Sequence, residues 1–203
     1  MSFRIINPSF LIGAVREAQF PSDEATAEIV VAGRSNVGKS SLLNALFGTR
    51  KLVRVADRPG KTQELNFFSA DLVNPADERR AVRFVDLPGY GYARVSKDQQ
   101  REMSRRINRY LSAGRHRLAI LLIDLKRGPS DQDLAAFDGL CDVGYAEVVI
   151  TKSDQLARNK RRPALDALQM RMGLARPPLL TSSTKGIGIS ALTERLWSLT
   201  EDA

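Results

Sequence analysis

The chain has 203 residues, 43% apolar and 27% charged, with a net charge of +8 and a pI near 10.0. That length suits a single domain that buries its own core, and the composition excludes a disordered, fibrous or membrane-spanning chain. A lone cysteine, Cys141, excludes an intramolecular disulfide and a multi-cysteine zinc site, and a lone histidine, His116, argues against most metal-centre and Ser-His-Asp chemistries.

The apolar run from Phe10 to Val15 is short and is followed by Arg16 and Glu17, so the N-terminus does not read as a secretory signal. A cytoplasmic, reducing environment is expected. Residues 1 to about 25 read as an N-terminal extension and 26–201 as the core of one domain spanning 1–203. Glu28 to Ala32 reads as a buried strand, followed by a Gly-rich turn and a helix from about Lys39 to Phe47. Gly48 to Thr62 then reads as a basic, mobile loop around Pro59-Gly60. Further strands are predicted at Glu64–Asp71, Ala81–Asp86, Arg117–Leu125, Ala146–Thr151 and Pro178–Thr181, and helices near 97–112, 130–141, 162–172 and 189–199. Strands alternating with helices predict an α/β fold with a mixed, mainly parallel, six-stranded sheet covered on both faces. Cys141, near the end of the third helix, reads as a core residue.

The positive charge is concentrated. Residues 50–61 carry +4, 97–117 carry +5 and 152–176 carry +5, leaving the remainder net acidic. A polyanion's phosphate backbone would need such a footprint. In the 97–112 helix, Met103, Ile107, Tyr110 and Leu111 share one face, and Arg101, Arg105, Arg106 and Arg109 lie on the other. Those arginines read equally as a nucleic-acid contact and as a solvated face. Lys160-Arg161-Arg162 reads as either a contact or a basic helix start.

Three motifs carry chemistry. Gly33-Arg34-Ser35-Asn36-Val37-Gly38-Lys39-Ser40 fits G-x-x-x-x-G-K-[ST] between a strand and a helix. Its glycines let the backbone wrap a phosphate, and the helix N-terminus binds the anion. Lys39 is placed to reach the β- and γ-phosphates, and the Ser40 hydroxyl to ligate Mg²⁺. Asp86-Leu87-Pro88-Gly89 closes a later strand: the carboxylate can hold the Mg²⁺ water shell, and the Gly89 N–H can meet the γ-phosphate. Thr151-Lys152-Ser153-Asp154 closes another strand. An Asp there accepts from guanine N1–H and the exocyclic amine, a donor pair that adenine lacks. Lys152 can lay its stem along the base.

The order and spacing resemble the Ras-like, translation-factor-type P-loop GTPases. More closely, three segments are similar to the bacterial EngB (YihA/YsxC-type) ribosome-biogenesis GTPases, over about residues 20–200. They are Gly33 to Leu46 (with Ser41 directly after the phosphate motif), Pro59-Gly60-Lys61-Thr62-Gln63 with Leu65-Asn66-Phe67-Phe68, and Asp86 to Ala93 with its tyrosines. The resemblance implies a Ras-like fold that binds GTP, hydrolyses it slowly to GDP and phosphate, and uses Mg²⁺. It further implies a first switch from Gly60 to Glu64, in which Thr62 joins Ser40 on the metal. The second switch would run from Leu87 to about Lys97. Lys39, Thr62 and Gly89 would carry catalysis. Thr181-Ser182-Ser183 resembles the loop whose backbone contacts the guanine oxygen. The implied partners are the large ribosomal subunit and its RNA, with a requirement in cell division and septation. No membrane partner is implied, and a monomer is expected. The alternative is a guanine-nucleotide-gated ribosome- or RNA-binding module with negligible catalysis of its own.

Two positions depart from the common GTPase pattern. Thr151 stands in place of Asn, removing an amide that braces the base site, so weaker binding is expected. Tyr90 stands where Ras-like enzymes carry a water-orienting Gln, so intrinsic hydrolysis is expected to be slow, of order ~10⁻⁴ s⁻¹. Asn36 lies three residues before Lys39. The resemblance to GTPases that also lack the Gln implies that it helps bind K⁺ beside the phosphates; the alternative is that it only braces the loop.

Overall fold

The computed structural model describes residues 2–22, 26–53, 64–91, 96–114 and 116–200. The elements, in chain order, are β1 (Arg4–Ala14), a short 3-10 turn at Glu17–Gln19, β2 (Ala27–Gly33), α1 (Lys39–Leu46), β3 (Leu65–Val73) and β4 (Arg79–Asp86). They continue with α2 (Lys97–Ser112), β5 (His116–Asp124), α3 (Asp131–Cys141), β6 (Tyr145–Thr151), α4 (Arg158–Arg171), β7 (Leu179–Leu180) and α5 (Ile189–Leu199). The strands form one sheet of seven in the order β1-β3-β4-β2-β5-β6-β7. The β1–β3 and β3–β4 pairs are antiparallel and the others parallel.

The expected sheet had six strands; the seventh is β1. Its pairing with β3 is shifted between Ile6 and Ser9 and again between Phe10 and Ile12. Such bulges break the period-two alternation by which a strand is read from sequence.

Along the inner strands, neighbouring side chains point to opposite faces, and both faces are covered. Ile29 and Val31 of β2 join Phe84, Ile120 and Val149 beneath α1 (Leu42, Leu43, Leu46) and α5 (Leu192, Leu196, Trp197). Val30 and Ala32 join Val85, Leu121 and Ile150 beneath α2 (Tyr110, Leu111), α3 (Leu140) and α4 (Leu168).

Two further expectations are corrected. Cys141 is exposed rather than buried. It ends α3 one residue, or about 100° of turn, beyond the buried Leu140, and so points away from the sheet. Helix α4 begins at Arg158, four residues before the predicted start, and carries Pro163 inside it. Its first turn is held by Lys160 N–H donating to Ala157 O at 2.9 Å and by Arg161 Nε donating to Leu156 O at 3.0 Å. Pro163 therefore removes one early helical hydrogen bond without setting the boundary.

Connections leave β2 toward opposite sides of the sheet: α1 leads outward to β3 and β4, and the later chain builds β5, β6 and β7 on the other flank. Ligands of open α/β sheets bind at such a reversal, beyond the carboxyl ends of the strands. Here the strand ends supply Gly33 (β2), Asp86 (β4), Asp124 (β5) and Thr151 (β6), with Val31 level with Asp86 and Asp124 level with Thr151.

Candidate functional site: a phosphate loop and a base pocket

At Gly33 the loop that runs to Ser40 passes so close to the sheet that a side chain is excluded. A Cβ on Gly33, whose φ is +155°, would come within 2.9 Å of Val37 Cγ1 and 3.1 Å of Leu122 O. Gly38 adopts φ 108° and begins α1 with no side chain capping the helix. Among the described residues no side chain caps the first N–H groups of α1, which suits a bound phosphate. Arg34 forms an isolated parallel bridge with Tyr90, and Ser35 N–H donates to Tyr90 O at 2.9 Å, linking the loop to the chain after β4.

Lys39 Nζ lies 3.6 Å from Asp86 Oδ1, an ion pair in which both side chains are largely covered. That separation is too long for a hydrogen bond. Asp86 Oδ1 is buried and has no hydrogen-bond partner among the described residues. Burial raises the carboxyl pKa above its ordinary value, opposed by the nearby Lys39 charge. An orphaned buried carboxylate oxygen beside a lysine, at the mouth of an uncapped helix, fits a water-clad divalent cation held between phosphates and the Ser40 hydroxyl. Among the described residues there is no group of three or more His, Cys, Asp or Glu able to hold a metal by themselves.

On the base side of the site, Thr151 and Lys152 both tie the end of β6 to neighbouring backbone and side chains. Thr151 lacks the amide, yet its hydroxyl donates to Val37 O at 2.7 Å, with Ile123 O at 3.3 Å. The brace between the end of β6 and the phosphate loop is thus present, built from a hydroxyl. Lys152, at φ 54°, crosses the loop: its Nζ donates to Asn36 O at 2.6 Å and to Asp124 Oδ2 at 3.0 Å. Asp124 was not singled out in the sequence; its other carboxylate oxygen accepts from the N–H groups of Lys126 and Arg127.

Asp154 follows on a short 3-10 turn, Ser153–Gln155. Its carboxylate accepts from Ser182 Oγ and, at 3.3 Å, from Thr184 Oγ1. The Ser182 hydrogen bond holds its pKa below the ordinary value. The Thr181–Ser183 loop is tied to the same place. Thr181 N–H and Oγ1 both donate to Ile150 O, and Ser153 N–H donates to Thr181 O at 3.1 Å. Thr184 carried no signal in the sequence; the contact forms because Ser182 bridges to Ile187 and closes the turn.

Of the expected first switch, Gly60, Lys61, Thr62 and Gln63 lie outside the described residues, as do 54–59 of the predicted loop and 92–95 of the expected second switch. Glu64 is described, and its carboxylate lies against Gly13 of β1. Leu87, Pro88 and Gly89 are buried, with Leu87 N–H donating to Val31 O at 3.0 Å. Tyr90 Oη donates to Asp133 Oδ1 at 2.6 Å. Asp133 Oδ2 in turn accepts from Ser130 N–H and Oγ at the start of α3. Burial, followed by the Asp133 contact, pushes the Tyr90 phenol above the ordinary tyrosine range.

A phosphate loop at the sheet reversal, an acid at the end of β4 and a seated Asp154 after β6 define a P-loop GTPase. A family model for 50S ribosome-binding GTPases matches residues 28–152. Over 98% of its length the chain is 39% identical to the probable GTP-binding protein EngB of Alkaliphilus metalliredigens, of which it covers 91%. Over 92% of its length it is 40% identical to the corresponding protein of Myxococcus xanthus, again covering 91% of that relative. The chain belongs to the EngB family of GTP-binding proteins and is a GTPase.

Solved structures share the fold. A crystal structure of a probable GTP-binding protein EngB matches with a TM-score of 0.67 at 23% identity, covering 87% of this chain and 100% of that one. Era in complex with MgGDPNP and a segment of 16S ribosomal RNA matches with a TM-score of 0.70 at 21% identity, covering 86% of this chain and 56% of that one. Among the described residues, no helix is long and apolar enough to cross a membrane.

Proposed function

We propose that the chain is a single-domain, cytoplasmic, Mg²⁺-dependent GTP/GDP switch serving assembly of the large ribosomal subunit, and through it cell division and septation. The observation that carries the nucleotide reading is the pairing of an orphaned Asp86 oxygen beside Lys39 with an Asp154 carboxylate held by Ser182. In this reading Gly33–Ser41 cradles the phosphates, and Lys39 neutralises charge between the β- and γ-phosphates. Ser40, Thr62 and, through water, Asp86 hold Mg²⁺. Thr62 and Gly89 meet the γ-phosphate from the two switches. Gly60–Glu64 and Leu87 to about Lys97 change with nucleotide, while Thr151–Asp154 and Thr181–Ser183 bind guanine. The ribosomal partner is supported by the family model's description and by the concentrated basic charge.

Hydrolysis is slow in this reading, because the Tyr90 phenol is committed to Asp133 and cannot turn to a water. A positively charged partner group can supply the missing stabilisation, an effect worth roughly 10³–10⁵ in rate. Bound K⁺ is a second source. Asn36 is exposed at φ 61°, and its side-chain amide makes no hydrogen bond among the described residues, so it is available to an ion rather than spent on bracing the loop.

Single-turnover GTP hydrolysis with and without large ribosomal subunits, in K⁺ and in Na⁺ at equal ionic strength, tests these points. Stimulation by subunits supports a hydrolysing switch. Nucleotide-dependent cosedimentation without stimulation supports the gated binding module instead. K⁺ stimulation should vanish in Asn36→Ala, and equal rates in both salts would remove the ion.

A further inference from the structure

Beside helix α2, and formed without any residue of the nucleotide site, lies a cleft of about 340 Å³. One wall is α2, with Glu102, Arg105, Arg106 and Arg109; the other is the segment after β1, with Arg16 and Glu17. Phe20 forms the floor. This floor is rigid: Phe20 packs edge-on against Tyr110 at 5.5 Å and tilted against Phe67 at 5.8 Å, and all three side chains are buried. The Phe20 side of the cleft is thus anchored in the core.

The charges divide unequally. Glu102 is spent on Arg106, 3.2 Å away, whose side chain is only 12% exposed. Arg105 and Arg109 are exposed, and among the described residues neither has a carboxylate within ion-pair distance. One helical turn apart, they present two guanidinium forks roughly 6 Å apart along the axis. Arg16, also exposed, lines the same cleft from the segment after β1. Arg16, Arg105 and Arg109 outnumber Glu17, the other exposed carboxylate of the lining, and so favour a ligand with successive anionic, bidentate acceptors.

We propose that this cleft seats the phosphodiester backbone of an unpaired RNA segment, with Arg105 and Arg109 each taking one phosphate and Arg16 closing from the other wall. The assignment rests on the ribosomal reading above and names the surface by which it would be achieved. Helix α2 emerges directly from the second switch at its Ser96 cap, so the same element carries both the nucleotide-sensitive segment and the cleft wall.

The test uses the whole protein with two probes: purified large ribosomal subunits, and a short fluorescein-labelled single-stranded RNA titrated across a range of salt. Arg105→Ala with Arg109→Ala should weaken RNA binding roughly tenfold and lower the salt slope by about 1.4, the value for two contacts on a single strand. GDP affinity and melting temperature should stay unchanged, since both side chains are exposed. Arg105→Lys with Arg109→Lys should restore most of the slope. Arg158→Ala with Lys160→Ala, on the exposed start of α4, controls for general charge loss and should have the smaller effect.

Unchanged RNA affinity and slope in the double alanine variant, while the parent binds both probes, would overturn the cleft and leave the ribosomal reading standing. A parent that binds neither probe would overturn that reading itself. Loss of subunit binding with RNA binding intact would assign the cleft to a ribosomal protein and remove the proposal.

Discussion

The Tyr90 phenol is tied to Asp133 by a 2.6 Å hydrogen bond, which fastens the first residues after the β4 turn to the N-terminal turn of α3. Asp133 is 2% exposed and also accepts both Ser130 donors, so the acceptor is itself immobile. The residue standing at the usual glutamine position is therefore a structural pin. Tyr90→Phe should cost about 1.5 kcal/mol, the scale of a hydrogen bond to a charged group, and leave GTP hydrolysis and GDP affinity near those of the parent. Chemical denaturation and single-turnover rates measure the two quantities. A tenfold fall in rate at unchanged stability would show that the phenol handles the attacking water instead.

Thr151 joins β6 to the phosphate loop through its hydroxyl, and the Val37 carbonyl would lose that donor in a valine variant. Thr151→Val should destabilise the protein by about 1–3 kcal/mol, because Thr151 is buried and Val37 nearly so. The loop should loosen as well, and GDP should bind more weakly. Thr151→Ser keeps the hydroxyl and should keep the affinity. If calorimetry finds the valine and serine variants alike, the hydroxyl brace contributes nothing to nucleotide binding.

The Thr151 result bears on what could be read from the sequence. The phosphate motif, the Asp86 turn and Asp154 were legible because each needs a fixed residue type beside a strand end, and the strands announce themselves as apolar runs. What Thr151, Lys152 and Tyr90 contact was not legible. Each partner is remote in sequence: Val37 for Thr151, Asn36 and Asp124 for Lys152, Asp133 for Tyr90. Strand β1 was missed for a different reason, since Asn7 sits at φ 52° and two register shifts erase its alternation. Cys141 failed on helical phase: a residue type that is usually buried fell just past the inward stripe.

In the proposed role Asp154 would have to be ionised to accept both guanine donors, and Ser182 is the main reason its pKa lies below the ordinary 3.8. Its ionised form is favoured in the fold, so its contribution is present above 3.8 and lost as pH falls through the lowered native value. The preference of the parent for guanine over other bases should therefore survive below the usual carboxylate range, while overall nucleotide affinity falls earlier as Asp86, whose pKa is raised by burial, takes up its proton. Removing the donor in Ser182→Ala lets the pKa return upward, so the preference should begin to fall at a higher pH, and with less precise placement at every pH. Asp154→Asn inverts the donor–acceptor pattern and should exchange GTP preference for xanthosine triphosphate. Competition binding from pH 3.5 to 8 resolves both effects. A parent in which ATP competes as well as GTP would contradict the guanine assignment.

The seat of α2 supplies the last prediction. Glu28, on β2, accepts from Arg83 Nη1 at 2.7 Å and from Tyr110 Oη at 2.6 Å. The pair is deeply buried, with side-chain exposures of 7% for Arg83 and 2% for Glu28. Removing one member leaves the other's buried charge without that counter-ion, whereas removing both takes the two charges out of the core and leaves the Tyr110 hydroxyl without its Glu28 acceptor. Glu28→Met should therefore cost about 3–5 kcal/mol, and the addition of Arg83→Met should recover a large part of that loss. Tyr110→Phe keeps the ring contacts with Phe20 and Phe67 and gives up only the hydroxyl, a loss of about 1.5–3 kcal/mol. Because those rings form the floor and support of the arginine cleft, Tyr110→Phe should retain RNA binding at temperatures where it remains folded. Urea denaturation of the two single methionine variants, the double variant and Tyr110→Phe completes the cycle. Additive losses in the double variant would show that Glu28 and Arg83 are energetically independent despite their contact.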